Sequence, residues 1–478
     1  MKMLRFGLLA LTAAVAAQAD EFDVRHYGAR GDGQTLDSPA INRAIAAANA
    51  AGGGTVVVPV GVFNCGSIHL LSHVYLQLDP GSRLHASASG ADFDRPEPNP
   101  AEDAGQFEDW GHRHWHNSLI WAEGAADFGI IGTGLIEGKS LERDWHKGDA
   151  TGVTVGNKAI AFKNCHNVLL RDFSILYGGW FGILAIGTDN LTIEALRIDT
   201  NRDGMDIDCC RNVHVTDCSV NSPLDDGICL KSTHGLGYNR ATENVTISDC
   251  HVSGFDTGTF LDGTYQRHQK APTGRIKFGT ESNGGYKNVT VTNCTFDYCC
   301  GLALEEVDGG VLEDVTISNL VMRDIVNSPI YIRLSARNRG PKGTQTGIVR
   351  RVSISHIQAS NVQGKESVII AGVPGHNIED ISLSDIHIFS KGGGTQEDAA
   401  ITPPELVTDY PEPSRHGVQP AYGYYVRHVR GISFFDVDSR TATPDARPAF
   451  VLDDVSGVWF DHTEGKQVIV NGADQPRP

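Results

Sequence analysis

The chain has 478 residues, with 58 acidic against 40 basic side chains and a formal net charge of −18. That balance excludes the broad cationic surface that binds nucleic acid, and an anionic polymer would have to be held by a local cluster of Arg and Lys. The ten cysteines include no CxxC pair and no Cys/His ligand spacing, which argues against a structural zinc site, while disulfides and inward-stacked thiols both stay open.

Lys2 and Arg5 precede an apolar stretch from Phe6 to Ala17 that closes with Ala17-Gln18-Ala19. This is the pattern of a secretory signal cut before Asp20, so residues 1–19 read as a leader and 20–478 as one exported domain. The stretch is short of the ~20 residues of a bilayer span, so no membrane anchor is expected.

After the turn-rich Gly28-Ala29-Arg30-Gly31-Asp32-Gly33, Asp37 or Ser38 and Pro39 open an Ala-rich helix ending before Gly52-Gly53-Gly54. Such a helix suits the open end of a solenoid, where backbone and core would otherwise be bare. Gly31-Asp32-Gly33 reads as a plain turn rather than a metal or phosphate loop.

A repeated phrase follows, a polar residue leading an alternating β-branched strand: Asn167-Val168, Asn190-Leu191, Asn212-Val213, Asn244-Val245, Asn288-Val289, Asp314-Val315, Arg351-Val352 and Asp380-Ile381. The first starts are 23 and 22 residues apart. A period in that range without intervening helices means a parallel β-helix, its interior filled by ladders of Val, Ile, Leu and Cys. Solenoids grow by adding coils, so the length needs only one elongated all-β domain, expected to be a monomer. Polar, Gly-rich segments at about Gly235 to Lys270 and Arg337 to Arg350 read as loops over one face, and Lys391 to about Gln419 as an extended arm on the same face.

Two acidic motifs sit almost one coil apart: Asn201-Arg202-Asp203-Gly204 and Asp225-Asp226-Gly227, each leading into an alternating strand. Side chains one coil apart become neighbours about 4.8 Å up one sheet, which gathers three carboxylates in one patch. Glycosidic cleavage needs one protonated carboxyl and at least one carboxylate, and crowding drives such pKa values apart without metal or cofactor. As lone motifs these are also ordinary turns; the coil register separates the two readings.

With its Asp23-Val24-Arg25-His26-Tyr27-Gly28 opening, capping helix, coil repeats and acidic motifs, the chain resembles glycoside hydrolase family 28, the polygalacturonase-like pectin hydrolases. The resemblance implies a right-handed parallel β-helix and an inverting enzyme with a pectin-type polysaccharide as substrate. It places Asp225 as the acid that protonates the leaving oxygen, and Asp203 with Asp226 as the pair that activates water. Arg202 stands where the family carries threonine. Asp206 reads as a supporting, hydrogen-bonded acid and Asp208 as a surface one.

Two further family motifs are absent at their expected places. Gly274 falls on the histidine of Gly-His-Gly, and Glu305, in Gly301-Leu302-Ala303-Leu304-Glu305-Glu306, falls on the lysine of Arg-Ile-Lys. Arg275-Ile276-Lys277 spells the missing motif one coil early. Arg275 and Lys277 share strand parity with Glu281 and so could present charge to the groove, or pair with it on the surface. Lys231 and Arg333 are further candidates for binding substrate, and Glu281 and Glu305 could extend the acidic cluster or pair with the nearby cations. Trp110, Trp115, Trp180, Tyr265 and Tyr410 could stack on sugars, although packing explains each singly. The His-rich segment Trp110 to His116 fits no metal-ligand set and reads as a loop near one end of the groove.

The leading expectation is a hydrolase of a pectin-type chain, with polygalacturonase, rhamnogalacturonan hydrolase and an exo-acting rhamnogalacturonidase all inside it. Long loops favour a closed pocket and exo action. A β-helix polysaccharide lyase or epimerase, using calcium held by carboxylates, is the alternative enzyme class. A non-catalytic adhesin or carbohydrate-binding module is the third.

Overall fold

The structure is a computed structural model that describes residues 21–98, 107, 109–141, 156–363 and 365–463, with the backbone of Val468–Val470 and Ala473–Asp474. The leader, residues 1–19, and the Trp110 side chain lie outside the described residues. Among those described, no helix is long and apolar enough to cross a membrane.

Alternation of apolar and polar residues is what winds the chain. Val168 and Leu170 face Leu191 and Ile193, which face Val213 and Val215, then Val245 and Ile247, then Val289 and Val291, all in parallel register. Each of these side chains is buried, because a period of two sends one strand face into the coil. From Gly54–Val58 to Tyr286–Thr292 every strand pairs with the one three places further along, so each of these coils contributes three strands to three parallel ladders. Towards the C-terminus strands run through a corner without a break, as in Val311–Arg323, Ile348–Val362, Ile378–Gly392 and Tyr424–Thr443.

The polar residue heading each repeat now has a structural reason. Asn167, Asn190, Asn212, Asn244 and Asn288 all have positive φ, between 52° and 57°, the left-handed conformation that asparagine tolerates better than most residues. Their side chains form a ladder: the amide of Asn190 donates to Asn167 at 2.8 Å, Asn212 to Asn190 at 3.0 Å, Asn244 to Asn212 at 3.0 Å and Asn288 to Asn244 at 2.8 Å. The same side chain thus turns the corner and locks the coil spacing.

The capping helix spans Ser38–Ala50, with Asp37 as N-cap residue and Pro39 in its first turn. It buries Ala40, Ile41, Ala44, Ile45 and Ala48 over the first coil. The Asp37 carboxylate accepts from the amides of Arg30 and Gly31 at 2.7 and 3.0 Å rather than capping the helix, so it fastens the preceding turn to the helix start.

All ten cysteines are buried and free. Stacked thiols rather than disulfides therefore fill the corner positions. The segment from Gly235 to Lys270 is not one loop: it contains the strands Thr242–Ser248 and His251–Ser253, which continue the ladders, and the true insertion lies between Ser253 and the strand Ile276–Ser282.

The arm from Lys391 to Gln419 packs on the outer face of the sheet that carries Glu305 and Arg333. Beneath it Ala303, Tyr331, Ile369, Ala371 and Tyr425 form a small buried apolar cluster, and the Tyr331 hydroxyl meets His416 Nε2 at 3.1 Å. Replacing Asn212 by Ala should remove two ladder bonds and strain the corner, lowering the unfolding free energy by about 1 kcal/mol in chemical denaturation. Asn212→Gly, which relieves the φ strain only, should recover part of that loss.

Candidate active site

The acidic motifs occupy two stacked turns that lead into the strands Met205–Asp208 and Ile228–Ser232. Met205 pairs with Ile228 and Asp206 with Cys229, and the turns themselves are joined by bonds from Gly204 N to the Asp226 carbonyl and from Met205 N to that of Gly227, at 2.9 and 3.1 Å. Gly204 permits this approach: a Cβ there would stand 2.5 Å from the Gly227 carbonyl oxygen and 2.3 Å from Val220 Cγ1. The Asp226 amide then donates to Oδ1 of both Asp203 and Asp225 at 3.1 Å.

The result is one patch in which carboxylate oxygens of Asp203, Asp225 and Asp226 all lie within 4.8 Å of one another. Asp203 and Asp226 are 3% and 2% exposed, whereas the Asp225 side chain keeps 32% of its surface. The patch is therefore approached from above Asp225.

Three charge environments divide these acids. Burial pushes the Asp203 carboxyl well above the usual aspartate range, and the neighbouring charges of Asp225 and Asp206 push the same way. Asp225 is raised as well, by burial against the counter-pull of Arg202. For Asp226, burial is outweighed by Lys277 and Arg275, which hold it below the usual range as an ionised carboxylate.

The next coil supplies those cations. Arg275 and Lys277 lie on and beside Ile276–Ser282, where Lys277 pairs with Cys229 across the sheet. Arg275 Nε donates to Asp226 at 2.8 Å and its Nη2 to Glu412 of the arm at 2.9 Å. Lys277 Nζ stands 3.3 Å from Asp226 and 3.5 Å from Glu305, one coil further on. Glu305 is buried, which pushes its carboxyl up to about 7 despite Lys277. Gly274 has φ +54°, and a Cβ there would stand 2.3 Å from the Ser253 carbonyl oxygen, so a histidine does not fit at this position.

Lys231 and Glu281 meet each other at 3.0 Å. A register shift after Leu230 swings the end of the Ile276–Ser282 strand so that Glu281 comes abreast of Lys231, and Arg337 and Arg339 approach the same carboxylate. Arg333 faces Glu305 across the sheet, as its coil position implies. Its guanidinium, however, donates to the carbonyls of Ala371, Gly372, Glu405 and Leu406, so it ties the arm down instead of entering the acidic patch.

Asp208 is not a surface residue. It is fully buried, and accepts from Thr233 N at 2.8 Å and Thr233 Oγ1 at 2.6 Å. His112 is wedged between it and Asp206, with Nδ1 3.1 Å from Asp208 and Nε2 3.5 Å from Asp206. The His112 ring is raised in pKa, since Asp208 and Asp206 outweigh its burial. The Asp206 carboxylate accepts no hydrogen bond among the described residues, correcting its reading as a hydrogen-bonded support, and burial lifts it to about 7. His112 of the His-rich segment thus packs against Asp206 and Asp208, and no sequence signal ties it to residues nearly a hundred positions away.

On the other flank, Arg202 Nη2 lies 3.6 Å from Asp225 and 3.8 Å from Asp109, with its guanidinium 4.0 Å from the centre of the Trp180 ring. Tyr410, 43% exposed, projects from the arm beside Lys277 and accepts a hydrogen bond from Thr280 at 3.0 Å. Trp115 and Trp180 are packed, and Tyr265 lies on the insertion among Phe255 and Phe260. A cavity of about 390 Å³ opens on a different face, lined by residues such as Gln358, His387, Phe389 and Arg440; it lacks the carboxylate set, so chemistry rather than volume selects the site.

Residues 132–269 match the family model described as "Right handed beta helix region", and residues 22–154 that of "Rhamnogalacturonase A/epimerase, pectate lyase-like". A probable polygalacturonase of Vitis vinifera is 25% identical over 249 residues, 49% of this chain and 50% of that protein. An exo-poly-alpha-D-galacturonosidase of Dickeya chrysanthemi is 24% identical over 375 residues, 69% of this chain and 60% of that protein. The chain thus spans less than two thirds of the length of these relatives. The solved structure of the Yersinia enterocolitica family 28 exopolygalacturonase superposes with a TM-score of 0.67 at 16% identity, covering 92% of this chain and 78% of the other. By its coils and by these likenesses the chain is a right-handed parallel β-helix, similar in sequence to polygalacturonases and in fold to exopolygalacturonases.

Proposed function

We propose that this protein is a glycoside hydrolase acting on a pectin-type chain, with Asp225 as general acid and Asp203 with Asp226 activating water. The observation that carries the reading is the division of labour inside one patch. Asp225 is the most exposed of the three and raised in pKa, while Asp226 is held ionised by Arg275 and Lys277. An acid must reach the leaving oxygen and keep its proton; the charge of the base is carried by Asp226, and Asp203 beside it helps to hold the water.

The short spacing of the carboxylate oxygens bears on stereochemistry, since separations of about 5 Å usually accompany direct attack and wider gaps accompany inversion. Burial argues the other way here. Asp203 and Asp226 sit beneath Asp225, and a carboxylate clamped by two cations is a poor nucleophile for a carbon it cannot reach. A water resting on the pair fits better, and inversion follows.

The arm on one flank and the Trp115, Trp180 and Phe181 cluster on the other support release of short products from chain ends. The residue 1–19 pattern supports export, with N-terminal sequencing of the mature protein expected to begin at Asp20.

Asp225→Asn should lower kcat on pectin oligosaccharides by at least about 100-fold with the fold intact by circular dichroism, the scale of general acid catalysis. Undiminished turnover would remove the assignment. Proton NMR of the first product should show the inverted anomer, and a retained one would make Asp203 or Asp226 a nucleophile.

The sign of the pH dependence follows from the two directions of shift. The acid works only below the pKa of Asp225, which is raised, so the alkaline limb of kcat/KM should extend above the ordinary aspartate range. The base works only above that of Asp226, which is lowered, so the acid limb should lie below it. Lys277→Met removes one of the charges that hold Asp226 down, and should move the acid limb to higher pH while lowering kcat.

A further inference from the structure

The cations around the acidic patch are already matched by carboxylates of the protein itself. Arg275 bridges Asp226 and Glu412, and Lys277 bridges Asp226 and Glu305. Lys231 is taken by Glu281, and Arg202 lies between Asp225 and Asp109. Asp203 adds a further acid. Among the described residues, acids in this circuit outnumber cations.

The arm makes the point most directly. Glu412 sits on Arg275 Nη2 at 2.9 Å, where a substrate carboxylate would have to sit to use the same guanidinium, and Asn327 Nδ2 supports it at 3.4 Å. The remaining Nη1 of Arg275 is sealed from solvent. Arg415, over the outer side of the Tyr410 ring at 5.9 Å, is exposed to water, where a single charge contributes little selectivity. Tyr410 itself offers an uncharged ring face at the mouth of the site.

We infer that the sugar seated against Tyr410 carries no free carboxylate: the protein's own Glu412 and Glu305 occupy the cationic positions and repel a uronate, so the site takes a neutral unit of a pectin-type chain. This rests on the hydrolase reading above and narrows its substrate. Two sources share that chemistry, a methyl-esterified galacturonate and a deoxyhexose. Like-charge rejection by groups fixed in the protein is a specificity device separate from attraction, and it weakens with salt.

The test separates binding from turnover. Asp225→Asn protein is titrated by calorimetry with trigalacturonate, its methyl ester, and a pectin oligosaccharide ending in a deoxyhexose. At least one neutral-ended probe should bind tenfold or more tightly than trigalacturonate at low salt, with the margin shrinking in 0.5 M salt. Whichever neutral-ended probe binds identifies the source. Glu412→Gln added to this variant should improve trigalacturonate binding, because Arg275 is released. Equal or tighter binding of free trigalacturonate, or binding of none of the probes, overturns the proposal. If a probe binds but the wild-type protein cleaves none, the hydrolase reading falls while the ligand preference stands.

Discussion

Coil stacking imposes one spacing on everything this protein displays. Parallel strands lie about 4.8 Å apart, so an outward acid on one coil is forced against whatever the next coil carries. On Met205–Asp208, Ile228–Ser232, Ile276–Ser282 and Leu302–Glu306, successive coils carry acids, then Lys231, then Lys277 and Glu281 with Arg275 just ahead of the strand, then Glu305 and Glu306. Such a column is tolerable only with charge alternating up the axis, and the buried ion pairs along it follow from that demand.

The column is compensated unevenly, and the unevenness is where chemistry can occur. Asp226 receives two cations and stays ionised, whereas Asp203 receives carboxylate neighbours and burial and is driven towards the neutral form. Asp206, on the coil of Asp203, and Glu305, two coils beyond Asp226, are both lifted to about 7. A patch holding protonated and ionised carboxyls side by side at neutral pH has the two states that glycosidic cleavage uses.

Distant segments finish what the coils begin. His112 arrives from the first loop to separate Asp206 from Asp208, and Glu412 arrives from the arm to share Arg275 with Asp226. Arg333 fastens that arm through four carbonyls. A residue that continues the functional column by register thus acts on architecture, and the charge that reaches the site comes from the arm, at the residue that opens its short 3-10 helix Pro413–His416.

The sequence by itself determined the coil, the capping helix and the acidic register, because each is local or periodic: alternation sets the inward ladder, the leading Asn sets the corner, and the near-coil spacing of Asp203 and Asp225 brings them together. It also placed Arg275, Lys277 and Glu281 on one face through strand parity. What only the tertiary structure decided was the outcome for individual charges. Asp208, read as a surface acid, is buried because His112 and Thr233 close over it. Glu412 carried no signal at all, since its partner lies far along the chain and no period connects an arm to a sheet. Periodicity fixes which face a side chain leaves from; which counter-charge meets it there depends on loops whose paths no repeat encodes.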